Sequence, residues 1–175
     1  VIVGNITDGN AAAAFTDWGA DALKVGIGQG HVCTTRLETG FGMPMFTAIQ
    51  ECFDNTDLPI IADGGISQFG DAAKAISAGA TMVMSGSMFA RCIDSPAETE
   101  KPGRTPGTYK RWFGSASEEN KGANKYVEGK CVLEETNYLT YEELLRKWKE
   151  ALQSSISYAG GDDLMSLRRC ETYEV

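Results

Sequence analysis

Four short apolar runs, each followed by a helix-like pattern, constrain this chain more than any single residue does. The runs are Val1–Val3, Ala22–Val25, Pro59–Ala62 and Thr81–Met84. Between them the apolar spacing predicts helices at about Asp8–Trp18, Pro44–Asp54 and Asp71–Ala78. Asp8 suits an N-cap and Pro44 a first helical turn, while Gly19 and Gly79 suit C-terminal stops. The second and fourth units share a phrase, Gly19-Ala20-Asp21-Ala22-Leu23 beside Gly79-Ala80-Thr81-Met82-Val83. Strand and helix alternating at this spacing predict parallel βαβ units with near-continuous apolar strands. Four such units make half of an eight-stranded barrel, and alone they leave two apolar strand edges unpaired. The first run begins at residue 1 with no initiator methionine, so the expectation is the C-terminal portion of a longer protein. An independently folded four-strand α/β domain is the alternative.

The chemistry gathers where these strands end. The second is followed by Gly26-Ile27-Gly28-Gln29-Gly30-His31-Val32-Cys33-Thr34-Thr35-Arg36. Glycines at that density let a backbone take φ > 0 and approach a ligand closely, and Cys33 stands where α/β enzymes keep a nucleophile. The third strand ends in Ala62-Asp63-Gly64-Gly65-Ile66 and the fourth in Ser85-Gly86-Ser87. Bare amides at Gly64-Gly65 and Gly86-Ser87 can converge on one anion, and Asp63 can accept hydrogen bonds from a ribose diol. Ordinary turns and helix caps would explain either motif singly, but less readily both on successive strands.

Composition narrows the partners. The formal net charge is −8, with no basic stripe of the kind that a nucleic-acid groove requires. No apolar run is long enough to span a bilayer, and no signal peptide is visible. The five cysteines (33, 52, 92, 131 and 170) are scattered, odd in number and form no C-x-x-C pair. That favours free thiols in a reducing cytoplasm over a disulfide framework or a zinc site.

Beyond Ala90 the pattern changes. Asp94–Thr108, with Pro96, Pro102, Gly103, Pro106 and Gly107, reads as an exposed excursion, a small β-hairpin in form. The polar, glycine-bearing stretch Glu119–Lys130 suits a mobile flap over a site. Thr140-Tyr141-Glu142-Glu143 predicts a capping box opening a helix over about 140–153, with Leu144, Leu145, Trp148 and Leu152 as its apolar stripe.

The thiol loop, read as G-I-G-x-G-x-x-C-x-T, resembles the active-site loop of the IMP dehydrogenase/GMP reductase family. Phe113-Gly114-Ser115-Ala116-Ser117-Glu118, Val127-Glu128-Gly129-Lys130 and Gln153–Gly161 are similar to the reductase branch in its Gram-positive bacterial form. The likeness runs to about Leu167. It implies the C-terminal half of a (β/α)8 barrel read as a single domain, 1–175, with a flap over about 109–137 after the last strand. The dehydrogenases activate water with a flap Arg-Tyr pair, and no arginine stands between Gly114 and Thr140. The reductases carry a Glu-Gly step there, which Glu128-Gly129 matches.

Carried over position by position, the resemblance implies NADPH-dependent reductive deamination of GMP to IMP. Cys33 would attack purine C2, and Thr35 with Glu128 would pass a proton to the departing ammonia, as a general acid must. Thiolate is the reactive form, and the loop amides are expected to favour it. GMP would be held by Asp63, Gly64, Gly65, Gly86, Ser87, Gly114, Ser115, Ala116, Lys125 and Gly129. Ile27, Gly28, Ser155, Ile156, Ser157 and Tyr158 would contact NADPH. Gly28, Gly30, Cys33 and Arg36 would match a monovalent-cation site, potassium by resemblance. A cytoplasmic homotetramer is implied, and this stretch alone is expected not to turn over. Gln29 departs from the family's usual proline. His31, the only histidine, replaces a small or basic residue and is expected to face solvent. Oxidation of IMP to XMP with NAD is the rival activity, and a non-catalytic nucleotide-binding fragment the second alternative.

Overall fold

The computed structural model describes residues 1–101, 107–122 and 125–173. Four parallel strands, β1 (Ile2–Ile6), β2 (Ala22–Val25), β3 (Ile60–Asp63) and β4 (Met82–Met84), form one sheet in that order. Helices α1 (Gly9–Asp17), α2 (Thr35–Thr39), α3 (Met45–Phe53), α4 (Phe69–Ser77) and the one-turn α5 (Ser87–Ala90) follow their strands. This is the order of four consecutive units of a (β/α)8 barrel, as the apolar runs predict. Leu23, Val25, Ile60 and Ala62 are fully buried and join Ala12, Ala48, Ile49 and Cys52 in the core. The inner strands are therefore mostly apolar, as parallel strands covered by helices are, the exceptions being Lys24 and the terminal Asp63.

Local chemistry sets the element ends. The Asp8 side chain accepts the Ala11 amide at 3.0 Å and caps α1. Pro44 occupies the cap position of α3 rather than its first turn, with extended ψ of 132°. Helix α4 starts two residues before the expected Asp71, because the Asp71 carboxylate reaches back to the Ser67 and Gln68 amides. Gly19 and Gly79 follow the last helical residues with φ of 84° and 121°, conformations that side chains resist.

The outer strands differ from the inner ones. Neither β1 nor β4 has a strand on its outer side among the described residues. Ile2 is 61% exposed, Met82 50% and Met84 45%. The apolar edges expected of four such units are present.

The second half of the chain adds an antiparallel sheet of β5 (Glu98–Glu100), β6 (Tyr109–Phe113) and β7 (Cys131–Glu135). The expected excursion thus contributes one strand, paired Glu98 to Arg111 and Glu100 to Tyr109. Pro102, Gly103 and Pro106 lie outside the described residues. Strands β6 and β7 pair over five residues each, so the stretch predicted as a flap begins and ends in regular ladder. Between them stands the short α6 (Glu118–Lys121). Helix α7 (Tyr141–Tyr158) opens with the predicted capping box: Thr140 Oγ1 accepts the Glu143 amide at 3.3 Å, and the Glu143 carboxylate accepts the Thr140 amide at 2.9 Å. Hydrogen bonds donated by the Thr140 amide and hydroxyl hold the Glu143 carboxyl below its usual range. The helix continues past 153, so Ser154–Tyr158 form its last turn. Leu144 and Trp148 are buried against the strand–helix layer, with Trp148 on Phe69 and Phe89. A 3-10 helix (Leu164–Arg169) follows, and Arg168 donates to the Gly79 and Ala80 carbonyls just before β4.

Candidate active site

The site lies at the carboxyl ends of the parallel strands, where a barrel keeps its chemistry. The Cys33 thiol donates to Thr35 Oγ1 at 3.1 Å, and Thr35 Oγ1 donates to Glu128 Oε2 at 2.6 Å. A sulfur, a hydroxyl and a carboxylate from places 93 residues apart therefore form one hydrogen-bonded line.

Backbone bonds bring Glu128 there. The Thr34 amide donates to the Glu128 carbonyl at 2.9 Å, and the Lys130 amide to the Val32 carbonyl at 2.9 Å. Cys33 and Gly129 pair as an isolated antiparallel bridge, and Gly129 also bridges Ser117. Gly129 is buried between the thiol loop and the 114–117 turn. A β-carbon on it would stand 2.9 Å from the Ser117 amide nitrogen, so only glycine passes here without displacement.

A cavity of about 760 Å³ opens beside this line. Gly64, Gly65, Gly86 and Ser87 form one part of its wall, and Gly114 and Ser115 another. Gly64 and Gly65 have φ of 113° and 73°, which turns the backbone sharply at the strand end. A contiguous cavity of about 210 Å³ is lined by Cys33, Ala116, Glu128 and Gly129 together with Asp63 and Gly64. Asp63 Oδ2 accepts from Lys24 Nζ at 2.5 Å and from Asn5 Nδ2 at 3.0 Å. Its other oxygen, Oδ1, has no partner among the described residues. Lys125 is exposed and lines neither cavity.

Several residues at the site escaped the sequence reading. Lys24 sits inside an apolar strand, where a lysine requires a partner; that was the available signal for the Lys24–Asp63 pair. Trp112, Tyr141 and the segment Ser95–Ala97 line the larger cavity, with no pattern to mark them. His31 is half-exposed but not idle. Its Nε2 lies 2.7 Å from Glu134 Oε1, and its ring stacks on Trp112 at 5.5 Å. Trp112 Nε1 donates to the other Glu134 oxygen at 3.1 Å. The expected solvent-facing residue ties the thiol loop to β6 and β7.

The residues expected around NADPH divide. Ile27 and Gly28 belong to the thiol loop, whereas Ser155, Ile156, Ser157 and Tyr158 lie at the far end of α7. Tyr141, at the near end, lines the larger cavity. At about 1.5 Å per residue, the two ends are roughly 25 Å apart. The far end adjoins the 3-10 helix, whose Arg168 reaches the opposite ends of the strands. Of the carbonyls expected around a cation, that of Gly30 accepts the Cys33 amide and that of Arg36 the Gly40 amide. Each keeps a second lone pair. Among the described residues no group of three or more His, Cys, Asp or Glu side chains is placed to hold a metal.

The five thiols are free, and three are distinguishable by setting. Burial pushes Cys52 up to about 11, with Asp8 and Glu51 adding to the effect. Burial also raises Cys92. Cys33 is half-buried, with a hydroxyl against its sulfur.

Known proteins match this chain throughout. The IMP dehydrogenase / GMP reductase domain matches over residues 1–174. A GMP reductase of Leptothrix cholodnii is 51% identical over 172 residues, 97% of this chain and 52% of that protein. One from Streptococcus equi subsp. equi is 50% identical over 97% of this chain and 51% of that protein. Among solved structures, a GMP reductase variant from Trypanosoma brucei, in complex with guanosine 5'-monophosphate, superposes with a TM-score of 0.86 at 33% identity. That match covers 96% of this chain and 36% of the other. The chain spans about half the length of the curated relatives that it matches.

Proposed function

We propose, from the premise that this chain belongs to the IMP dehydrogenase/GMP reductase family, that it is the catalytic-loop half of an enzyme reductively deaminating GMP to IMP and ammonia. The observation that carries the reading is the Cys33–Thr35–Glu128 line beside a glycine-walled cavity. Its hydrogen bonds all point toward the carboxylate. Glu128 can therefore take the thiol proton through Thr35, leaving a thiolate to attack purine C2. The same proton, returned through Thr35, protonates the amino group as the C2–N bond breaks and ammonia departs. What remains is a purine joined at C2 to Cys33 sulfur. A reduced nicotinamide, NADPH in this proposal, would supply the hydride that reduces C2. The C–S bond then breaks, releasing IMP and the Cys33 thiolate, which takes one proton from solvent to restore the thiol.

The rest of the chain supports parts of this cycle. Asp63, with Oδ2 fixed by Lys24 and Asn5, offers Oδ1 to the ribose. Gly64, Gly65, Gly86 and Ser87 offer amides to the phosphate. Gly114, Ser115, Ala116 and Gly129 would border the base, and Lys125 would act only if the flap carried it inward. Gly28, Gly30, Cys33 and Arg36 carbonyls suit a hard monovalent cation such as potassium, which would stiffen the loop. Gly28, which lines the smaller cavity, with Ile27 beside it in the loop, would meet a cofactor at this chain's own cavity. Ser155–Tyr158 do not fit there, and they could reach only a cofactor at another copy's cavity; a homotetramer is proposed on that footing. Five free thiols suit a reducing cytoplasm, and no helix among the described residues is long and apolar enough to cross a membrane.

The absence of an arginine between Gly114 and Thr140 favours reduction over oxidation of IMP to XMP. The test is direct. Full-length protein given GMP and NADPH should form IMP and ammonia stoichiometrically. Formation of XMP from IMP and NAD, with GMP untouched, would make it a dehydrogenase.

A further inference from the structure

We propose that Lys110 supplies the fixed positive charge that draws the nucleotide phosphate into the larger cavity, acting from behind the cavity wall. This rests on the reading of that cavity as the nucleotide site. Lys110 lies in β6 and is 3% exposed. Its ammonium donates to the Ser95 carbonyl at 2.9 Å, the Ala97 carbonyl at 3.2 Å and Thr99 Oγ1 at 2.8 Å. All three of its protons therefore have acceptors, yet every acceptor is neutral. No carboxylate pairs with it among the described residues.

A buried charge without a counter-charge is costly, and its position here is informative. Ser95 and Ala97 both line the cavity, so the ammonium stands one residue behind that wall. Among the described residues, the lining contains no lysine or arginine. Its ionisable members are His31, Asp63 and Tyr141. Asp63 is paired with Lys24, and His31 is engaged by Glu134. A phosphate monoester carries about −1.5 to −2 charges near neutral pH, whereas backbone amides bring only partial charges. The uncompensated ammonium makes up the difference across a low-dielectric wall, where a charge acts more strongly than in water. Lys110 is thus a positioning residue that touches no reacting atom: it fixes the Ser95–Thr99 wall and sets its potential.

A purely structural pin would hold the wall equally for any ligand. A charge acts on the phosphate alone. The experiment compares GMP with guanosine, by calorimetry on full-length wild type, Lys110→Gln and Lys110→Met. The glutamine keeps hydrogen-bond donors for the wall and removes the charge, and thermal melting verifies that each variant folds. The expected result is about a tenfold or greater loss of GMP affinity, with guanosine affinity within about twofold of wild type. Equal loss for both ligands, or unchanged GMP affinity in Lys110→Gln, overturns the proposal and leaves the cavity assignment standing. Wild type binding guanosine as tightly as GMP would overturn the cavity assignment itself, and the role of Lys110 with it.

Discussion

The two walls of the site are built differently. One is the parallel layer, where Gly64 and Gly65 follow the buried strand β3, and Gly86 and Ser87 follow the edge strand β4 and lead into the buried Met88. The other is the β6–β7 ladder and its connection, which reaches the thiol loop through a few backbone bonds and the His31–Glu134–Trp112 contact. The first is positioned by burial, which is strong and non-directional. The second is positioned by hydrogen bonds, each worth about 0.5–1.5 kcal/mol. Amide contacts to the anion should therefore depend on the first wall and proton transfer on the second, with the Lys110 charge the one part of the second wall that acts on affinity. Damage to the glycines of one wall and to the backbone bonds of the other should then appear in different kinetic constants.

Cys33→Ala should give the largest effect, because the sulfur belongs to both walls' chemistry. In the full-length enzyme, deamination and hydride transfer should both fall by more than about 10⁴-fold, as for other lost nucleophiles. A residual rate in either would show that part of the reaction proceeds without the covalent bond. Gly129→Ala comes next. The added methyl meets the Ser117 backbone and should move Glu128 off Thr35, lowering kcat by about 10²-fold or more. GMP affinity should stay within about threefold; a matched loss of affinity would mean that the walls are not separable.

Gly65→Val tests the opposite wall. At φ of 73° a β-branched residue is strained, and its side chain, directed at Gln29 and Met45, should displace the Gly64–Gly65 amides proposed for the anion. GMP affinity should fall by about 10²-fold, while hydride transfer at saturating IMP changes little. His31→Ala should give the smallest effect, about two- to fivefold on kcat. It removes one stacking contact and one hydrogen bond at a half-exposed position, and an effect as large as that of Gly129→Ala would make His31 a main support of the second wall.

The two walls were also unequally legible in the sequence. Alternating apolar runs located β1 to β4, and the glycines after β2, β3 and β4 marked the first wall, because buried strands and φ > 0 turns restrict residue choice over short stretches. The second wall depends on pairings across long separations. Nothing local in Val127-Glu128-Gly129 says that Gly129 bridges Cys33 and Ser117; the resemblance supplied Glu128, and geometry explains Gly129. His31 looked solvent-facing because its partners, Trp112 and Glu134, lie on strands that the polar composition nearby did not announce. Lys24 was readable in principle, as a lysine between the buried Leu23 and Val25; Lys110, between the half-buried Tyr109 and the exposed Arg111, was not. Their roles depend on Asp63 and on the Ser95–Ala97 wall, and those only the fold brings near. The length of α7 was underestimated because serines at its last turn resemble an exit from a helix.

The central claim is that Glu128 moves the proton that ammonia needs. Its direct test is Glu128→Gln in the full-length enzyme, with two partial reactions measured side by side. An amide cannot cycle a proton, so release of ammonia from GMP should slow by about 10²–10⁴-fold. Hydride transfer between IMP and the oxidised cofactor involves no ammonia and should fall far less. Equal losses in both reactions, or none in either, would contradict the account.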